Sequence, residues 1–207
     1  MNSPRLSSSV ALVAGAASLV LALAACGSDT STSSASTPSV AEVVTSSVTE
    51  PATDASSCPT AAPEAAGPPE WTQPGATGSV AVTGSTDTAA PVVTVTAPFS
   101  VTETQVQTLQ AGDGPVVADT ATVSVCYMGV NGRDGSVFDS SYERGAPVEF
   151  PLDGVVPGFQ KAIAGQKVGS TVAVAMTSAD GYPNGQPAAG IQPGDSLIFA
   201  IKILDAS

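Results

Sequence analysis

A short helix predicted at residues 157–164 constrains the fold of this chain more than any other feature. Pro157 stands at the first helical position, where its missing N–H costs no hydrogen bond, and Gly165 follows the end of the run. Phe159 and Ile163 are four residues apart and therefore share one face of the helix. Because a helix of two turns is not stable alone in water, we expect it to pack against a sheet through that face.

Segments in which apolar and polar residues alternate lie on both sides of the helix and predict that sheet. They are residues 79–83, 92–95, 101–110, 120–128, 148–152, 170–176 and 196–204. In the clearest of them, Val123, Val125 and Tyr127 share one face, and Cys126 lies on the other. Several antiparallel strands and one short helix in about 110–130 residues predict an α+β domain with a single core.

Six stretches in the second half of the chain resemble, in order, the motifs of the FKBP-type peptidyl-prolyl isomerases. They are Tyr127-Met128-Gly129, Val137-Phe138-Asp139-Ser140-Ser141, Val155-Val156-Pro157-Gly158-Phe159, Val168-Gly169, Gly190-Ile191 with Pro193, and Leu197-Ile198-Phe199. The resemblance extends over residues 103–207. It implies an FKBP-like antiparallel half-barrel sheet wrapped around one short helix, and the activity of a peptidyl-prolyl cis-trans isomerase.

The resemblance also implies a pocket and assigns its residues. The walls, floor and aliphatic lining are Tyr127, Phe138, Phe159, Phe199, Val155, Val156 and Ile191. The backbone N–H of Val156 and the hydroxyl of Tyr182 are implied as hydrogen-bond donors to the substrate. Asp139 and Arg144 match the family's pocket carboxylate and its arginine partner, with an orienting role. No cofactor is implied, and macrolide inhibitors are implied as ligands of the pocket.

Each assignment has a simpler alternative, and two departures from the family pattern matter. Phe159 and Phe199 would be core residues in almost any such sheet, and Asp139 is also suited to cap the turn that follows it. Phe159 replaces the usual tryptophan of the pocket floor. Val148 replaces a pocket-edge aromatic, which widens specificity or weakens binding, and the loop at residues 181–190 also departs from the family.

Rotation about an X–Pro bond requires no acid or base, because the barrier of about 18–20 kcal/mol comes from amide resonance. A dry pocket with aromatic walls and a few aimed hydrogen bonds lowers it by favouring the twisted amide. Two functions fit this chemistry. The first is an isomerase that acts on proline-containing segments of secreted or envelope proteins. The second is a chaperone or scaffold module that binds such segments in the same pocket without turnover.

Composition excludes several other classes of function. The chain has no histidine and three cysteines, which argues against a metal site. The formal net charge of −12 argues against binding to nucleic acid, which requires basic patches for its phosphates.

The N-terminus predicts a lipoprotein signal peptide at residues 1–25. Arg5 precedes an apolar run at residues 10–25 that is too short to span a ~30 Å hydrocarbon core. The run ends in Leu23-Ala24-Ala25-Cys26, which resembles a bacterial lipobox. We therefore expect Cys26 to carry the lipid that anchors the protein on the extracytoplasmic face of the cell membrane. The alternative is an ordinary cleavage site with a chance cysteine.

Residues 26–78 are rich in Ser, Thr, Ala and Pro and are predicted to be a disordered tether, with Trp71 as an isolated aromatic. The FKBP-like domain is then predicted at residues 79–207, with its motif-matched core at 103–207. Outside the cytoplasm Cys58 and Cys126 can form a disulfide that lays part of the tether along the sheet. Two free thiols are an equal alternative, because the sequence does not give the distance between them.

Overall fold

The structure, a computed structural model, describes residues 57–63 and 67–207. All of them belong to one compact unit, Val48–Ser207. The predicted signal peptide, the lipidated Cys26 and residues 26–56 and 64–66 of the predicted tether lie outside the described residues.

The described part of the chain contains two antiparallel sheets, two short α-helices and three single-turn 3₁₀ helices, which are Leu152–Gly154, Ser178–Asp180 and Pro187–Ala189. The first sheet holds β1 (Trp71–Pro74), β2 (Thr77–Thr83) and β3 (Val92–Ser100) in that order. The second holds β4 (Gln105–Gln110), β5 (Thr122–Asn131), β6 (Val137–Ser140), β7 (Val148–Pro151), β8 (Thr171–Met176) and β9 (Leu197–Ala206). Its order is β4-β8-β9-β5-β6, and β7 pairs with the first half of β5, beyond the end of β6. The helices are α1 (Ser141–Arg144) and α2 (Pro157–Ile163).

Helix α2 packs on one face of the six-stranded sheet, as predicted. Phe159 and Ile163 are both buried. Gly158 permits a close approach to β8, because a Cβ at this position would lie 2.8 Å from the Cβ of Met176. The prediction of an antiparallel sheet packed on one short helix is therefore confirmed.

The face of the sheet toward α2 forms the larger core. Val123 and Val125 of β5 meet Val172 and Val174 of β8 there. The inward-facing residues of β9 complete it, and they are Leu197, Phe199, Ile201 and Ile203. The alternation in the sequence predicted all of these positions correctly.

The opposite face of the six-stranded sheet is covered by the three-stranded sheet. Val80, Val82 and Phe99 from the three-stranded sheet pack against the β8 and β9 face that carries Ala175 and Ile198. Strand β8 is consequently buried on both sides, and a second core lies on the face of the sheet away from α2, where only one core was predicted.

Strand β1 contradicts the predicted disorder at its own residues. Trp71–Pro74 pairs with β2 in a regular antiparallel register, from Trp71 opposite Val82 to Pro74 opposite Ser79. Trp71 is half-buried and packs against the smaller core, so it is not an isolated aromatic. The backbone pairing and this one large side chain order a segment whose composition resembles that of a linker.

Two of the predicted strands differ from the observed ones by four or more residues at one end. Strand β3 continues past the predicted end at residue 95 to Ser100, through Pro98. A proline is tolerated there because β3 is an edge strand, paired only with β2 among the described strands. The strand predicted from residue 101 begins only at Gln105.

The disulfide between Cys58 and Cys126 is present, with a Cα–Cα distance of 5.7 Å. The bridge draws residues 57–63, here called the strap, onto β5 on the face opposite Tyr127. Both cysteines are buried beside Tyr142 of α1. In the described ranges no helix combines the length and apolar character that crossing a membrane requires.

Candidate functional site

A cavity of about 410 Å³ opens between α2 and the strands β5 to β7. It is lined by Tyr127, Phe138, Asp139, Val148, Phe150, Gly154, Val155, Val156, Phe159, Tyr182 and Phe199. The turn Leu152–Gly154 and the start of α2 supply one side, and the loop that follows β8 supplies Tyr182. Most of the wall is therefore apolar and largely aromatic.

Five aromatic rings form one connected cluster at the base of the cavity. The ring of Phe159 lies 5.1 Å from that of Phe199, 5.4 Å from that of Phe150 and 5.8 Å from that of Tyr127, all edge to face. Phe138 meets Phe199 edge to face at 5.5 Å. Pairs of aromatic rings favour this edge-to-face geometry, so each ring of the cavity is held in place by the rings next to it.

Gly129 in β5 leaves the space that two of these rings occupy. A Cβ at this position would lie 2.6 Å from Cζ of Phe138 and 2.8 Å from Cε1 of Phe199. A side chain here would displace both rings, so this glycine of the Tyr-Met-Gly motif has a direct structural role in the cavity.

One edge of the cavity is polar and consists of Tyr127, Asp139 and Arg144. The Tyr127 hydroxyl donates a short hydrogen bond to Oδ2 of Asp139. Nη1 of Arg144 lies 2.5 Å from Oδ1 of the same carboxylate. The Arg144 guanidinium also lies over the Tyr127 ring, 5.9 Å from its centroid. Each residue of this group contacts the other two.

This arrangement keeps Asp139 ionised and Tyr127 protonated. Burial acts to raise the pKa of Asp139, but the hydrogen bonds from Tyr127 and Arg144 outweigh it and the pKa is lower than usual. Burial, together with the bond to Asp139, raises the pKa of Tyr127. The polar edge therefore holds a fixed charge pair at neutral pH and no group poised to transfer a proton.

Two hydrogen-bond donors face the cavity without a partner among the described residues. Val156 stands at the N-terminal cap of α2, and its N–H is bonded to no described residue. The hydroxyl of Tyr182 is likewise unbonded there, although its carbonyl accepts from the Ser178 hydroxyl at 3.2 Å. Both donors are free for a bound ligand.

The loop that carries Tyr182 is held from outside the cavity. Asp180 accepts a hydrogen bond from Thr104 at 2.5 Å and from Lys161 of α2 at 2.8 Å. These contacts, the one from Lys161 first, lower the pKa of Asp180. Tyr182 is thereby placed two residues from an anchored carboxylate.

The structure brings together ten of the eleven pocket residues predicted from the sequence. Tyr127, Phe138, Asp139, Val148, Val155, Val156, Phe159, Tyr182 and Phe199 line the cavity, and Arg144 lies behind Asp139. Ile191 is instead buried in the larger core and does not line the cavity.

Phe150 is a cavity residue that the sequence reasoning missed. It lies on the same face of β7 as Val148 and packs on Phe159 at 5.4 Å. The alternation in residues 148–152 pointed to this shared face, but it did not show that the face looks onto the cavity. Val148 contributes no aromatic ring to the cavity wall, and the ring of Phe150 on the same strand supplies part of that wall.

No group of three or more potential metal ligands occurs within the described ranges. The cavity itself presents aromatic rings, two donors that no described residue engages and a fixed ion pair. Such a site holds an apolar group between rings and binds the carbonyl groups beside it.

Comparison with known proteins shows which family shares the region of the chain that forms this cavity. The family model of FKBP-type peptidyl-prolyl cis-trans isomerase matches residues 114–204. A probable FKBP-type peptidyl-prolyl cis-trans isomerase of Haemophilus influenzae is 39% identical over 97 residues, which cover 47% of this chain and 40% of that protein. An FK506-binding protein of Streptomyces anulatus is 36% identical over 96 residues, which cover 45% of this chain and 77% of that protein.

A probable FK506-binding protein of Corynebacterium glutamicum is 34% identical over 98 residues, which cover 46% of this chain and 80% of that protein. The chain belongs to the FKBP-type peptidyl-prolyl cis-trans isomerase family. It spans less than half the length of the first curated relatives that it matches. The matched region begins downstream of β1 to β4 and of the strap.

Proposed function

We propose that this protein is a peptidyl-prolyl cis-trans isomerase that acts on proline-containing polypeptides. The observation that supports the proposal most directly is the combination at one cavity of a five-ring aromatic base and two donors with no partner among residues 57–63 and 67–207. The rings suit an apolar proline side chain, and the donors suit the carbonyl groups of the chain on either side of it. Membership of the family supports the same activity.

Catalysis proceeds by removal of water and by preferential binding of the twisted bond. Solvation by water favours the planar, resonance-stabilised amide, so an aromatic cavity reduces that preference. The Val156 N–H, at the start of α2, and the Tyr182 hydroxyl, in the loop after β8, both line the cavity and hold the substrate backbone while the bond rotates. Binding that is tighter for the twisted form than for either planar form lowers the barrier.

The polar edge serves to orient rather than to transfer protons. Asp139 is ionised and fully engaged by Tyr127 and Arg144, so it fixes the position of the Tyr127 ring in the wall. An ion pair already formed in the free protein requires no rearrangement when the substrate enters.

A proline-limited refolding assay with the full-length, oxidised protein tests the activity. We expect catalysis of the slow phase, and its loss in Phe138→Ala, which opens the wall to water. Val82→Ala, in the smaller core on the other face of the sheet, is the matched control and should retain activity. Binding of a proline peptide without any catalysis would support the chaperone or scaffold alternative instead.

The same cavity is proposed to bind macrolide inhibitors. The relatives from Streptomyces anulatus and Corynebacterium glutamicum carry FK506 in their names. Calorimetric titration with FK506 should show one site that Phe138→Ala weakens. Equal affinity in the variant would place the ligand elsewhere.

We further propose that Cys26 is lipidated and anchors the protein on the extracytoplasmic face of the membrane. The lipobox-like sequence at residues 23–26 supports this proposal. The Cys58–Cys126 bridge supports an oxidising compartment, since such bridges are rare in the cytoplasm. Two acyl chains would give stable attachment, where a single chain is marginal.

Fractionation of cells that express Cys26→Ser tests the anchor. We expect the variant to leave the membrane fraction and the unchanged protein to remain there. Cys58→Ser is the control for loss of a cysteine outside the lipobox and should stay with the membrane. Membrane retention of Cys26→Ser equal to that of the unchanged protein would contradict the anchor.

A further inference from the structure

Helix α1, which carries Arg144, is too short to be stable through its own hydrogen bonds. It has four residues, whereas isolated helices below about 12–15 residues are marginal in water. Its own caps are a Ser140 hydroxyl that accepts from the Glu143 N–H at 3.4 Å and a left-handed Gly145. The position of Arg144 beside Asp139 therefore depends on what α1 packs against.

The strap supplies much of that support from the side away from the cavity. The Cys58 N–H donates to the carbonyl of Gly145 at 3.3 Å, directly after Arg144. Sγ of Cys58 lies 3.5 Å from Oγ of Ser141, at the start of the helix. The strap thus contacts both ends of α1.

The same bridge reaches the strand that carries Tyr127. Cys126 directly precedes Tyr127 in β5, and its side chain lies on the opposite face. The Ser141 hydroxyl, beside Cys58, accepts a hydrogen bond from the Tyr127 N–H at 2.8 Å. The disulfide therefore attaches to β5, which presents Tyr127, the strap that hydrogen-bonds to α1, which presents Arg144.

A second contact fixes α1 from the three-stranded sheet. Tyr142 is buried, and its hydroxyl donates to Oγ of Ser85 at 2.8 Å. Ser85 lies in the loop between β2 and β3, and Ala90 of that loop donates its N–H to Ala61 of the strap at 2.8 Å. Strap, loop and helix are thereby linked to one another.

We propose that the strap and the β2–β3 loop position α1 so that Arg144 reaches Asp139, which makes Cys58, Cys126 and Tyr142 positioning residues of the cavity. The strap and the loop lie upstream of the region shared with the family, residues 114–204. The two supporting segments therefore belong to the N-terminal part of this chain, and their contacts Cys126 and Tyr142 lie within the shared region. Cys58 and Cys126 are only 3% and 1% exposed, so the bridge is shielded from solvent.

The pKa of Asp139, followed by carbon-13 NMR of the side-chain carboxyl groups, tests the proposal independently of any activity. The groups that face this carboxylate are Tyr127 and Arg144, and loss of Arg144 contact raises its pKa toward the usual value. We expect an upward shift in Cys58→Ala/Cys126→Ala and a smaller one in Tyr142→Phe. Val80→Ala, in the smaller core, is the control for lost stability and should leave the pKa of Asp139 unchanged.

An unchanged Asp139 pKa in the folded bridge-free variant would overturn the proposal. If that variant does not fold, Tyr142→Phe decides by the same measurement, because it removes only the hydroxyl that contacts Ser85. A shift of equal size in Val80→Ala would also overturn it, since general loosening would then explain the effect.

A second arm measures KM for a proline peptide and rests on the proposed isomerase function. We expect removal of the bridge to raise KM about two- to fivefold, as for loss of one exposed ion pair. In an Arg144→Ala background, removal of the bridge should add nothing further, because both changes remove the same contact. Fully additive effects would overturn the proposal. Absence of any wild-type turnover would count against the proposed function only, and the pKa arm would still decide the positioning role.

Discussion

Replacement of Phe199 by leucine tests whether the contacts between aromatic rings contribute to stability and activity beyond the burial of apolar area. Phe199 is 5% exposed, and its ring makes edge-to-face pairs with Phe159 at 5.1 Å and Phe138 at 5.5 Å. A third contact, with Tyr127 at 6.2 Å, is tilted and weaker. Leucine retains most of the buried apolar area but none of these ring pairs.

The matched control is Phe99→Leu in the smaller core. Phe99 is 2% exposed and has no ring pair with any other described aromatic residue. Both variants lose the same atoms from a buried position, so the area and cavity costs are similar. The two strong ring pairs of Phe199 are worth about 0.5–1.5 kcal/mol each. We therefore expect Phe199→Leu to lower the free energy of unfolding by about 1–3 kcal/mol more than Phe99→Leu does.

Guanidinium unfolding of the two oxidised variants measures this difference, and kcat/KM for a proline peptide measures the functional effect. We expect Phe199→Leu to reduce kcat/KM by about tenfold, the equivalent of one lost ring contact, and Phe99→Leu to leave it unchanged. Equal loss of stability in both variants would show that the ring geometry contributes nothing beyond burial. Full activity in Phe199→Leu would remove the ring from the proposed site.

Three further predictions follow from the cavity and the bridge. Tyr182→Phe should cost one hydrogen bond of about 0.5–1.5 kcal/mol, hence a loss of about tenfold or less in kcat/KM, and complete inactivity would contradict a binding role for the hydroxyl. Cys58→Ala/Cys126→Ala should lower the free energy of unfolding by about 4 kcal/mol, since the bridge closes a loop with a separation of 68 residues, and a loss below ~1 kcal/mol would be inconsistent with this. Turnover should be nearly flat between about pH 5.5 and 8.5. Asp139, whose folded pKa is lowered, becomes protonated only as the pH falls through that lowered value, and a neutral inflection in the profile would refute the mechanism.

The sequence predicted the elements whose determinants are local. Pro157 and Gly165 define the ends of the short helix to within two residues. The alternation along β9 predicted which of its side chains point toward α2, because successive side chains of a strand point to opposite faces of the sheet. The pocket assignments rested on the family motifs, and Val155, Val156 and Phe159, which belong to one short motif, all line the cavity.

The sequence did not predict the features that depend on contacts between distant segments. The composition of residues 67–78 gives no sign that β2 pairs with Trp71–Pro74. Pairing of Cys58 with Cys126 was one of two equal alternatives until their Cα atoms were placed 5.7 Å apart. Ile191 was assigned to the pocket by its motif, but its side chain turns into the larger core.

The alanines of β8 and β9 explain why the N-terminal sheet belongs to this fold. Ala173, Ala175 and Ala200 are fully buried on the face away from α2. Small side chains there allow Val80 and Phe99 of the three-stranded sheet to approach closely, as close-packed cores require. Without that sheet, Ile198 and these alanines would form an apolar surface open to water, at a cost of about 25 cal/mol per Å². Both faces of the six-stranded sheet are therefore apolar and covered, as in the middle layer of a three-layer structure. The region shared with the family is consequently only part of the folding unit.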